Sequence, residues 1–252
     1  DALDGSLPSA RTMAGTKTPE QVRAIAKKRA EQLKARGVTF DFAPDADVSD
    51  QPADAVIGDR SFSNDPAVVT KYAQAFAQGL EDGGIVGTLK HFPGHGHSTG
   101  DSHKGRVSVP PLDQLRRADL LPYRDLVGPG KPLYGTKIAV MVGHLDVPGL
   151  TTDLPSSLTP AVYQLLRDQY GFDGMVVTDD LGAMKAISAQ FTVPQATVRA
   201  LAAGADMALS SDITSPGPVI DALEKALADG TITAADNDAA VARILTTKGL
   251  CG

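Results

Sequence analysis

Short apolar runs alternate with longer amphipathic segments along most of the chain. The first amphipathic segment begins at Thr18, which is a good N-cap, and Pro19 suits the first helical position. Gln21 completes a capping box, and Gly37 is expected to end the helix. The apolar residues of this segment recur at helical spacing and give it one buried face: Val22, Ile25, Ala26 and Leu33.

The same pattern predicts alternating strands and helices over the rest of the chain. Strands are expected at residues 38–43, 85–91, 137–143, 174–178 and 206–209. Helices are expected at residues 65–80, 112–126, 160–170, 193–203, 218–228 and 234–247. A loop over residues 92–110, rich in glycine and histidine, interrupts this alternation. Ordered loops of that length are usually functional.

Strands that alternate with helices indicate a parallel sheet wrapped by helices. Polar residues end or directly follow four predicted strands in turn: Lys90 and His91, His144 and Asp146, Asp179 and Asp180, and Ser210 to Asp212. In a (β/α)8 barrel, side chains at the carboxyl ends of several strands converge on one site. A doubly wound sheet would carry a glycine-rich phosphate turn, and G-x-G-x-x-G does not occur here. The sequence therefore predicts an α/β protein with a (β/α)8 TIM-type barrel, as a single domain over residues 1–252.

The number of strands falls short of a complete barrel. Five are predicted, whereas a barrel of this kind has eight. We therefore expect either that the first strands precede Asp1 or that a neighbouring molecule covers the gap. Without them a barrel would have two exposed sheet edges and uncovered apolar helix faces. Residues 1–252 expressed alone are accordingly expected to be aggregated or poorly folded.

Composition and charge exclude some classes of partner. The 252 residues carry a net charge of −6 and no long basic run, which argues against a nucleic-acid partner. No apolar stretch approaches the roughly 20 residues that span a bilayer, so no transmembrane segment is expected in this chain. A single cysteine, Cys251, excludes an internal disulfide. No cofactor is expected.

Four of the five histidines lie between residues 91 and 103, after the second predicted strand. They could simply satisfy hydrogen bonds of the loop, but so dense a cluster after a strand favours chemistry. His95 and His97 also resemble the paired histidines of barrel metallohydrolases. No metal is expected, because the surrounding glycines and proline form a turn and Lys90 would repel a divalent ion. A G-x-S-x-G match at residues 96–100 lacks the strand-to-helix turn that a nucleophile elbow needs.

Two pairs of residues carry the stronger chemical signal. Asp101 and His103 point the same way in an extended loop, so the carboxylate can orient the imidazole. An ordinary histidine pKa near ~6.5 suits a group that donates and then accepts a proton. Asp179 and Asp180 end a strand and face opposite ways, so one can enter the barrel mouth while the other caps the next helix.

Several motifs together resemble glycoside hydrolase family 3, in its NagZ-type N-acetylglucosaminidase branch. They are Lys-His-Phe-Pro-Gly-His-Gly at 90–96, Asp-Ser-His at 101–103 and Thr-Asp-Asp-Leu at 178–181. Residues 57–63 are similar to an arginine-bearing segment of that family, and residues 204–207 to its last barrel strand. The resemblance implies that Asp179 is a nucleophile and that His103, oriented by Asp101, is the general acid/base. It also implies that Arg60, Lys90 and His91 hold the sugar.

The activity implied by the resemblance is that of a retaining glycosidase. Such an enzyme would release terminal β-linked N-acetylglucosamine from peptidoglycan fragments, the GlcNAc-containing muropeptides. Most retaining glycosidases use two carboxylates ~5 Å apart, and here the Asp–His pair replaces the second. Relatives of this composition include exported cell-envelope lipoproteins of actinobacteria. A cell-envelope location is therefore expected, with the cytoplasm as the alternative.

The chain departs from the family in one respect. The D-x-E-G-G segment, whose aspartate binds sugar hydroxyls in the family, has no counterpart here. The family would place that segment just before Asp1. A non-catalytic sugar-binding remnant is therefore an alternative to the enzyme, and a zinc-dependent barrel hydrolase is a second one.

Overall fold

A parallel sheet forms the centre of the protein. The computed structural model describes residues 4–211 and 216–250. Its strands are β1 (Thr88–Phe92), β2 (Val107–Ser108), β3 (Ala139–Val142), β4 (Leu145–Asp146) and β5 (Val176–Thr178). The order in the main sheet is β1-β3-β5, and both pairings are parallel. Each of these three strands is buried along nearly its whole length, as expected for a sheet that is covered on both faces.

Two further segments extend this sheet at its edges, but neither is a regular strand. The sequence predicts regular strands at 38–43 and 206–209, and this is wrong. The two segments form only isolated parallel bridges, such as Phe40 with Val86 and Val177 with Met207. In the first segment Pro44 has no N–H to donate, which breaks the ladder. In the second, the N–H groups of residues 206 and 207 both bond the carbonyl of Val176.

The five segments lie side by side in the order in which they occur along the chain. This order is the winding of a (β/α)8 barrel, in which each strand is followed by its neighbour. A doubly wound sheet would instead reverse its order at a switch point. The carboxyl ends of all five segments therefore meet at one edge, where the polar residues follow them.

Helices flank the sheet, and most begin where the sequence predicts. Both α2 and α3 start after capping residues, and α2 has the complete Thr18–Gln21 capping box. The end of α2 at Lys34 precedes the predicted stop at Gly37. The helices are α1 (Ala10–Thr16), α2 (Pro19–Lys34), α3 (Pro66–Asp82), α4 (Leu112–Leu115), α5 (Leu121–Leu126), α6 (Pro160–Gln164), α7 (Lys185–Ser188), α8 (Val193–Ala203), α9 (Gly217–Ala228) and α10 (Ala234–Thr247). Throughout residues 4–211 and 216–250, no helix is both long and apolar enough to cross a membrane.

Two predicted helices differ from their expected form. The segment 112–126 is two short helices, α4 and α5, because Pro122 has no N–H for a continuous helical ladder and instead lies in the first turn of α5. The segment 160–170 begins as α6 and continues as a π-helical turn, Leu165–Gln169. The short helices α1 and α7 were not predicted.

The predicted loop at 92–110 contains one short strand. Within it, β2 pairs in parallel with β4, so Val107 lies beside Leu145 and Ser108 beside Asp146. Residues 93–106 have no regular structure. The pairing fixes the far end of this loop above the carboxyl ends of β1 and β3.

The opposite end of β5 is held by a buried ion cluster. Asp206 is fully buried and accepts hydrogen bonds from Arg167 at 2.7 Å and Arg243 at 2.8 Å. Its carboxylate also accepts the backbone N–H of Val176, the first residue of β5. The cluster holds residues 206–209, the π-helical turn and α10 together at the amino end of β5. This is the opposite end from the polar residues at the carboxyl ends of the strands.

Candidate active site

A small cavity of about 210 Å³ opens at the carboxyl ends of the strands. Five of the six predicted site residues line it: Arg60, Lys90, His91, His103 and Asp179. The sixth, Asp101, does not line the cavity but accepts hydrogen bonds from His103, which does. Four segments that are distant in sequence thus supply these residues to one pocket.

Asp179 follows the last residue of β5 and is buried, with only a tenth of its side chain exposed. Its backbone N–H donates to the carbonyl of Val142, and its own Oδ1 accepts the N–H of Asp180 at 2.9 Å. Asp180 turns the other way and accepts the backbone N–H groups of Gly182 and Ala183. The opposite orientations predicted for the two aspartates are therefore observed, although Asp180 caps a turn rather than a helix.

Asp179 is ionised in this environment. Burial, the largest single influence, raises the pKa of its carboxyl, but the opposing influences of His91, His144, the N–H of Asp180 and Lys90 together outweigh burial. The pKa of Asp179 is consequently lowered from its ordinary value. A buried carboxylate facing a cavity is a competent nucleophile at neutral pH.

His144 holds the backbone at this point. Its Nε2 lies 3.0 Å from the carbonyl oxygen of Asp180, and its Nδ1 lies 2.7 Å from the hydroxyl of Ser157. A carbonyl oxygen only accepts, so Nε2 carries a proton, and Nδ1 of the neutral ring accepts from Ser157. Burial lowers the pKa of His144, which keeps the ring neutral. His144 thereby fixes the peptide that follows the nucleophile candidate.

His91 lies between two buried carboxylates. Its Nδ1 is 2.8 Å from Oδ2 of Asp47, and its Nε2 is 3.9 Å from Oδ2 of Asp179. Burial disfavours the charged ring, but Asp47, Asp179 and Asp45 together outweigh burial and raise the pKa of His91. The pKa of the fully buried Asp47 is lowered to about 2, because the charges and hydrogen bonds of His91 and His95 outweigh desolvation.

The two other predicted sugar-binding residues share a loose contact with Asp45. Lys90 Nζ lies 3.8 Å from Asp45 Oδ1, and Arg60 lies 3.7 Å from Asp45 Oδ2. Arg60 is in a 3-10 turn, Gly58–Arg60, and its guanidinium also donates to the carbonyl of Val56. Neither cation is closely ion-paired, and both line the cavity.

The loop at 93–106 is anchored by its histidines. His95 is buried, its N–H donates to Asp47 Oδ1 and its Nδ1 lies 2.9 Å from the Ser98 hydroxyl. His97 Nδ1 lies 2.8 Å from Oδ1 of the buried Asp119. Burial lowers the pKa of His95, whereas the hydrogen bond that His97 donates to Asp119 raises the pKa of His97. The two rings of the metallohydrolase-like pair therefore have different protein partners and do not converge.

Two glycines let this loop approach the barrel closely. A side chain on Gly94, whose φ is +127°, would collide with Asp119, and one on Gly96 would collide with the backbone of Val48. Ser98, the middle residue of the G-x-S-x-G match, is buried and bonds within the loop, with no helix after it in residues 99–106. The nucleophile-elbow geometry is absent from this part of the described chain.

Asp101 and His103 form the contact that their spacing predicts. Nδ1 and the backbone N–H of His103 lie 2.9 and 3.0 Å from Oδ1 of Asp101. These hydrogen bonds outweigh desolvation and lower the pKa of Asp101. The His103 ring is 61% exposed, so its other nitrogen is open to the solvent side of the cavity. A proton can therefore pass between this ring and a group bound in the cavity.

One group of side chains has the spacing of metal ligands. Donor atoms of Asp45, Asp47 and His91 lie within 4.8 Å of one another. Nδ1 of His91, however, donates its proton to Asp47, and Lys90 Nζ lies 3.8 Å from Asp45. A metal ion would have to displace that proton and tolerate the ammonium group, so these residues fit a carboxylate–imidazole network better than a cation site.

Sequence reasoning missed the roles of Asp45, Asp47 and His144. The first two follow the segment 38–43, which the sequence predicted as a strand, and they occupy the same strand-end position as the residues that were singled out. That positional signal was therefore available. The partners of His144, Ser157 and the carbonyl of Asp180, are fixed only by tertiary packing.

Fold and site together define a class of protein: a parallel α/β barrel with a buried carboxylate and a solvent-facing Asp–His pair at the carboxyl ends of its strands. The glycosyl hydrolase family 3 N-terminal domain matches residues 1–247. The chain belongs to this family, which confirms both the resemblance and the TIM-type barrel.

Particular relatives agree with this assignment. β-Hexosaminidase LpqI of Mycobacterium tuberculosis is 50% identical over 252 residues, covering 98% of this chain and 63% of that protein. A family GH3 glycosyl hydrolase of Mycobacterium smegmatis superimposes with a TM-score of 0.93 at 51% identity, covering 98% of this chain and 76% of that one. A family 3 β-N-acetylglucosaminidase from Paenibacillus sp. gives a TM-score of 0.89 at 33% identity, covering 98% of this chain and 46% of that one. The chain thus spans 63% of the length of the curated mycobacterial relative.

Proposed function

We propose that this chain is the catalytic part of a retaining β-N-acetylhexosaminidase. Asp179 is the nucleophile, His103 the general acid/base and Asp101 the residue that orients His103. Arg60, Lys90 and His91 bind the sugar from which the glycosidic bond is cleaved. Relatives named β-hexosaminidase and β-N-acetylglucosaminidase support this activity class.

One observation supports the proposal most directly. A buried, ionised Asp179 and an exposed, carboxylate-paired His103 line the same cavity. A nucleophile needs the first environment, because a desolvated carboxylate attacks without first shedding a water shell. A group that exchanges protons with solvent in each turnover needs the second environment.

In the first chemical step, Asp179 attacks the anomeric carbon of the sugar. The bond between that carbon and the leaving oxygen breaks, and His103 gives its proton to the leaving oxygen. The products are a glycosyl ester on Asp179 and a free alcohol. Asp101 holds the ring of His103 and stabilises its charged form before transfer.

In the second step, water attacks the same carbon. His103, now neutral, takes a proton from the water, and the bond to Asp179 breaks to regenerate the carboxylate. Two inversions give net retention of configuration. The positively charged groups around Asp179 stabilise it as the leaving group of this step.

The substrate proposed is a terminal β-linked N-acetylglucosamine on peptidoglycan fragments, the GlcNAc-containing muropeptides. Lys90 and Arg60 can donate hydrogen bonds to sugar hydroxyls, and the cavity volume of about 210 Å³ suits one sugar ring rather than an oligosaccharide. We propose the cell envelope as the location, because the sequence resembles that of exported relatives.

A chromogenic β-N-acetylglucosaminide tests the activity in the purified natural protein, since residues 1–252 alone are expected to fold poorly. Turnover should release the chromophore, and Asp179→Asn should abolish the release while leaving the melting temperature near the wild-type value. A 2-fluoro sugar with a good leaving group should label one residue, which peptide mapping should identify as Asp179.

Three outcomes count against the proposal. A label on Asp180 or Glu224 would contradict the assignment of the nucleophile. Saturable binding of N-acetylglucosamine with no turnover of any activated glycoside would indicate the sugar-binding remnant instead. Activity that vanishes with a chelator and returns with Zn²⁺ would indicate a metallohydrolase.

A further inference from the structure

Asp47 is a buried carboxylate to which the reaction steps above assign no part. Its side chain is fully buried, and both oxygens accept hydrogen bonds from the end of β1. Oδ1 accepts the N–H of His95 at 2.7 Å, and Oδ2 lies 2.8 Å from Nδ1 of His91. A carboxylate with so many donors around it holds both the backbone and one ring in place.

We propose that Asp47 is a positioning residue for the reaction, holding the imidazole of His91 in the charged state and orientation that direct Nε2–H at Asp179. Since a carboxylate only accepts, Nδ1 of His91 carries a proton. The second nitrogen, Nε2, lies 3.9 Å from Asp179 Oδ2. The His91 ring thus lies between the fully buried carboxylate of Asp47 and the carboxylate of Asp179, the proposed nucleophile.

The position of His91 between the two carboxylates affects the charge of Asp179. An opposite charge within ~4–6 Å favours the ionised form of a carboxyl group. Asp47 keeps His91 charged, and the charged ring keeps Asp179 ionised at lower pH than burial would otherwise allow. The raised pKa of His91 and the lowered pKa of Asp179 agree with this geometry.

Other charged or titratable groups face the same two side chains, and any pH effect has to be separated from theirs. They come from the segment before β1, from the end of β1, from the loop after it and from the ends of β3 and β5: Asp45, Lys90, His95, His103, His144 and Asp180. Asp47 differs from all of these because it bonds His91 directly and lies out of reach of a bound sugar.

The inference rests on the proposed function, since its main readout is glycoside turnover. In Asp47→Asn, Nδ1 of His91 loses its anionic partner, so the ring loses charge and the pKa of Asp179 rises. The acid limb of kcat/KM against pH, which reports groups of the free enzyme, should move up by about one pH unit. If Asp47 were only structural, Asp47→Asn would lower kcat or the active fraction without moving the acid limb of kcat/KM against pH.

Asp119→Asn is the matched control. Asp119 is likewise buried, and it likewise bonds a histidine of the same loop, His97 at 2.8 Å. It has no ion-pair contact with Asp179 or His91, so its variant should keep the acid limb at the wild-type position whatever happens to kcat. An equal shift in both variants would overturn the inference, because loop displacement would then explain it.

A second measurement needs neither turnover nor a variant that folds. In wild-type protein with ¹⁵N-labelled histidine, the NMR shifts of His91 should show both nitrogens protonated at pH 6.5, with titration at higher pH. A neutral His91 at that pH, or an Asp47→Asn enzyme with an unmoved acid limb, would refute the role of Asp47. If the wild-type protein turned over no glycoside, the proposed function would be refuted instead. The NMR result would then still decide the protonation state of His91.

Discussion

Nδ1 of His103 lies 2.9 Å from Oδ1 of Asp101, and His103 lines the same cavity as Asp179. The carboxylate contacts one ring nitrogen, and more than half of the ring remains exposed. A ring held at one nitrogen and open at the other is arranged for proton transfer rather than for packing.

His103→Ala should therefore affect substrates unequally. General acid catalysis contributes typically 10²–10⁴-fold, but a good leaving group needs little protonation. Glycosylation of an aryl glycoside with an acidic phenol should lose far less rate than that of a natural disaccharide. Burst-phase kinetics on the two substrates measure this, and equal losses where glycosylation limits the rate would mean that His103 only binds.

Asp101→Asn should produce a weaker version of the same pattern. The amide can still accept a hydrogen bond from Nδ1 of His103, but it no longer stabilises the charged ring. We expect the loss on the unactivated substrate to exceed the loss on the activated one. Lys104, which is exposed and only 3.8 Å from Asp101, offers the control Lys104→Gln, which should leave that ratio unchanged.

Metal removal should not change the activity. The histidines of the loop have protein partners, and Nδ1 of His91 is occupied by its own proton. Elemental analysis of the purified protein should find no stoichiometric zinc, and EDTA should not inhibit turnover. A stoichiometric metal whose loss lowers activity would show that Asp45, Asp47 and His91 bind a cation after all.

Asp206 should be important for stability and not for chemistry. Breaking a buried ion pair by removing one partner costs about 3–5 kcal/mol, so Asp206→Asn should lower the free energy of unfolding by about that amount. The surface pair of Asp82 with Arg23 is the control, since an exposed pair contributes about 0–1 kcal/mol. Denaturant melts measure both, and a similar small loss in the two variants would contradict the buried-cluster interpretation.

His144 and His97 should show opposite pH dependence of stability. Burial lowers the pKa of His144, so below the ordinary value near ~6.5 the unfolded chain takes up a proton that the folded ring refuses. The destabilisation caused by His144→Asn should therefore shrink as the pH falls from neutral to about 5.5.

The reverse is expected for His97, whose pKa is raised by its hydrogen bond to Asp119. Its contribution is complete below pH ~6.5 and is lost as the pH rises through the folded-state pKa. The destabilisation caused by His97→Asn should therefore grow as the pH falls. Urea melts at several pH values measure both differences, and equal slopes would contradict the assigned protonation states.

The sequence alone determined most of the helical framework and the fold class. Capping residues such as Thr18 and Asp65 act through bonds to N–H groups two or three residues away, so their effect is visible in a linear sequence. The same locality explains why Asp101 and His103, two residues apart, could be paired in advance. The order of polar strand ends was enough to predict a barrel.

Only the tertiary structure decided how distant residues act on one another. Asp47 and His91 are 44 residues apart, and His144 is 36 residues from the carbonyl that it bonds. No local rule links such positions, because their contact depends on strand register and on the path of the loop between them. The irregular pairing at residues 38–48 and 206–209 could not be predicted either. The hydrogen bonds of a strand depend on the neighbouring strands as much as on the strand's own sequence. The sequence therefore determined which groups are candidates for the chemistry, and the packing decided which of them lie together and which neighbours set their charge.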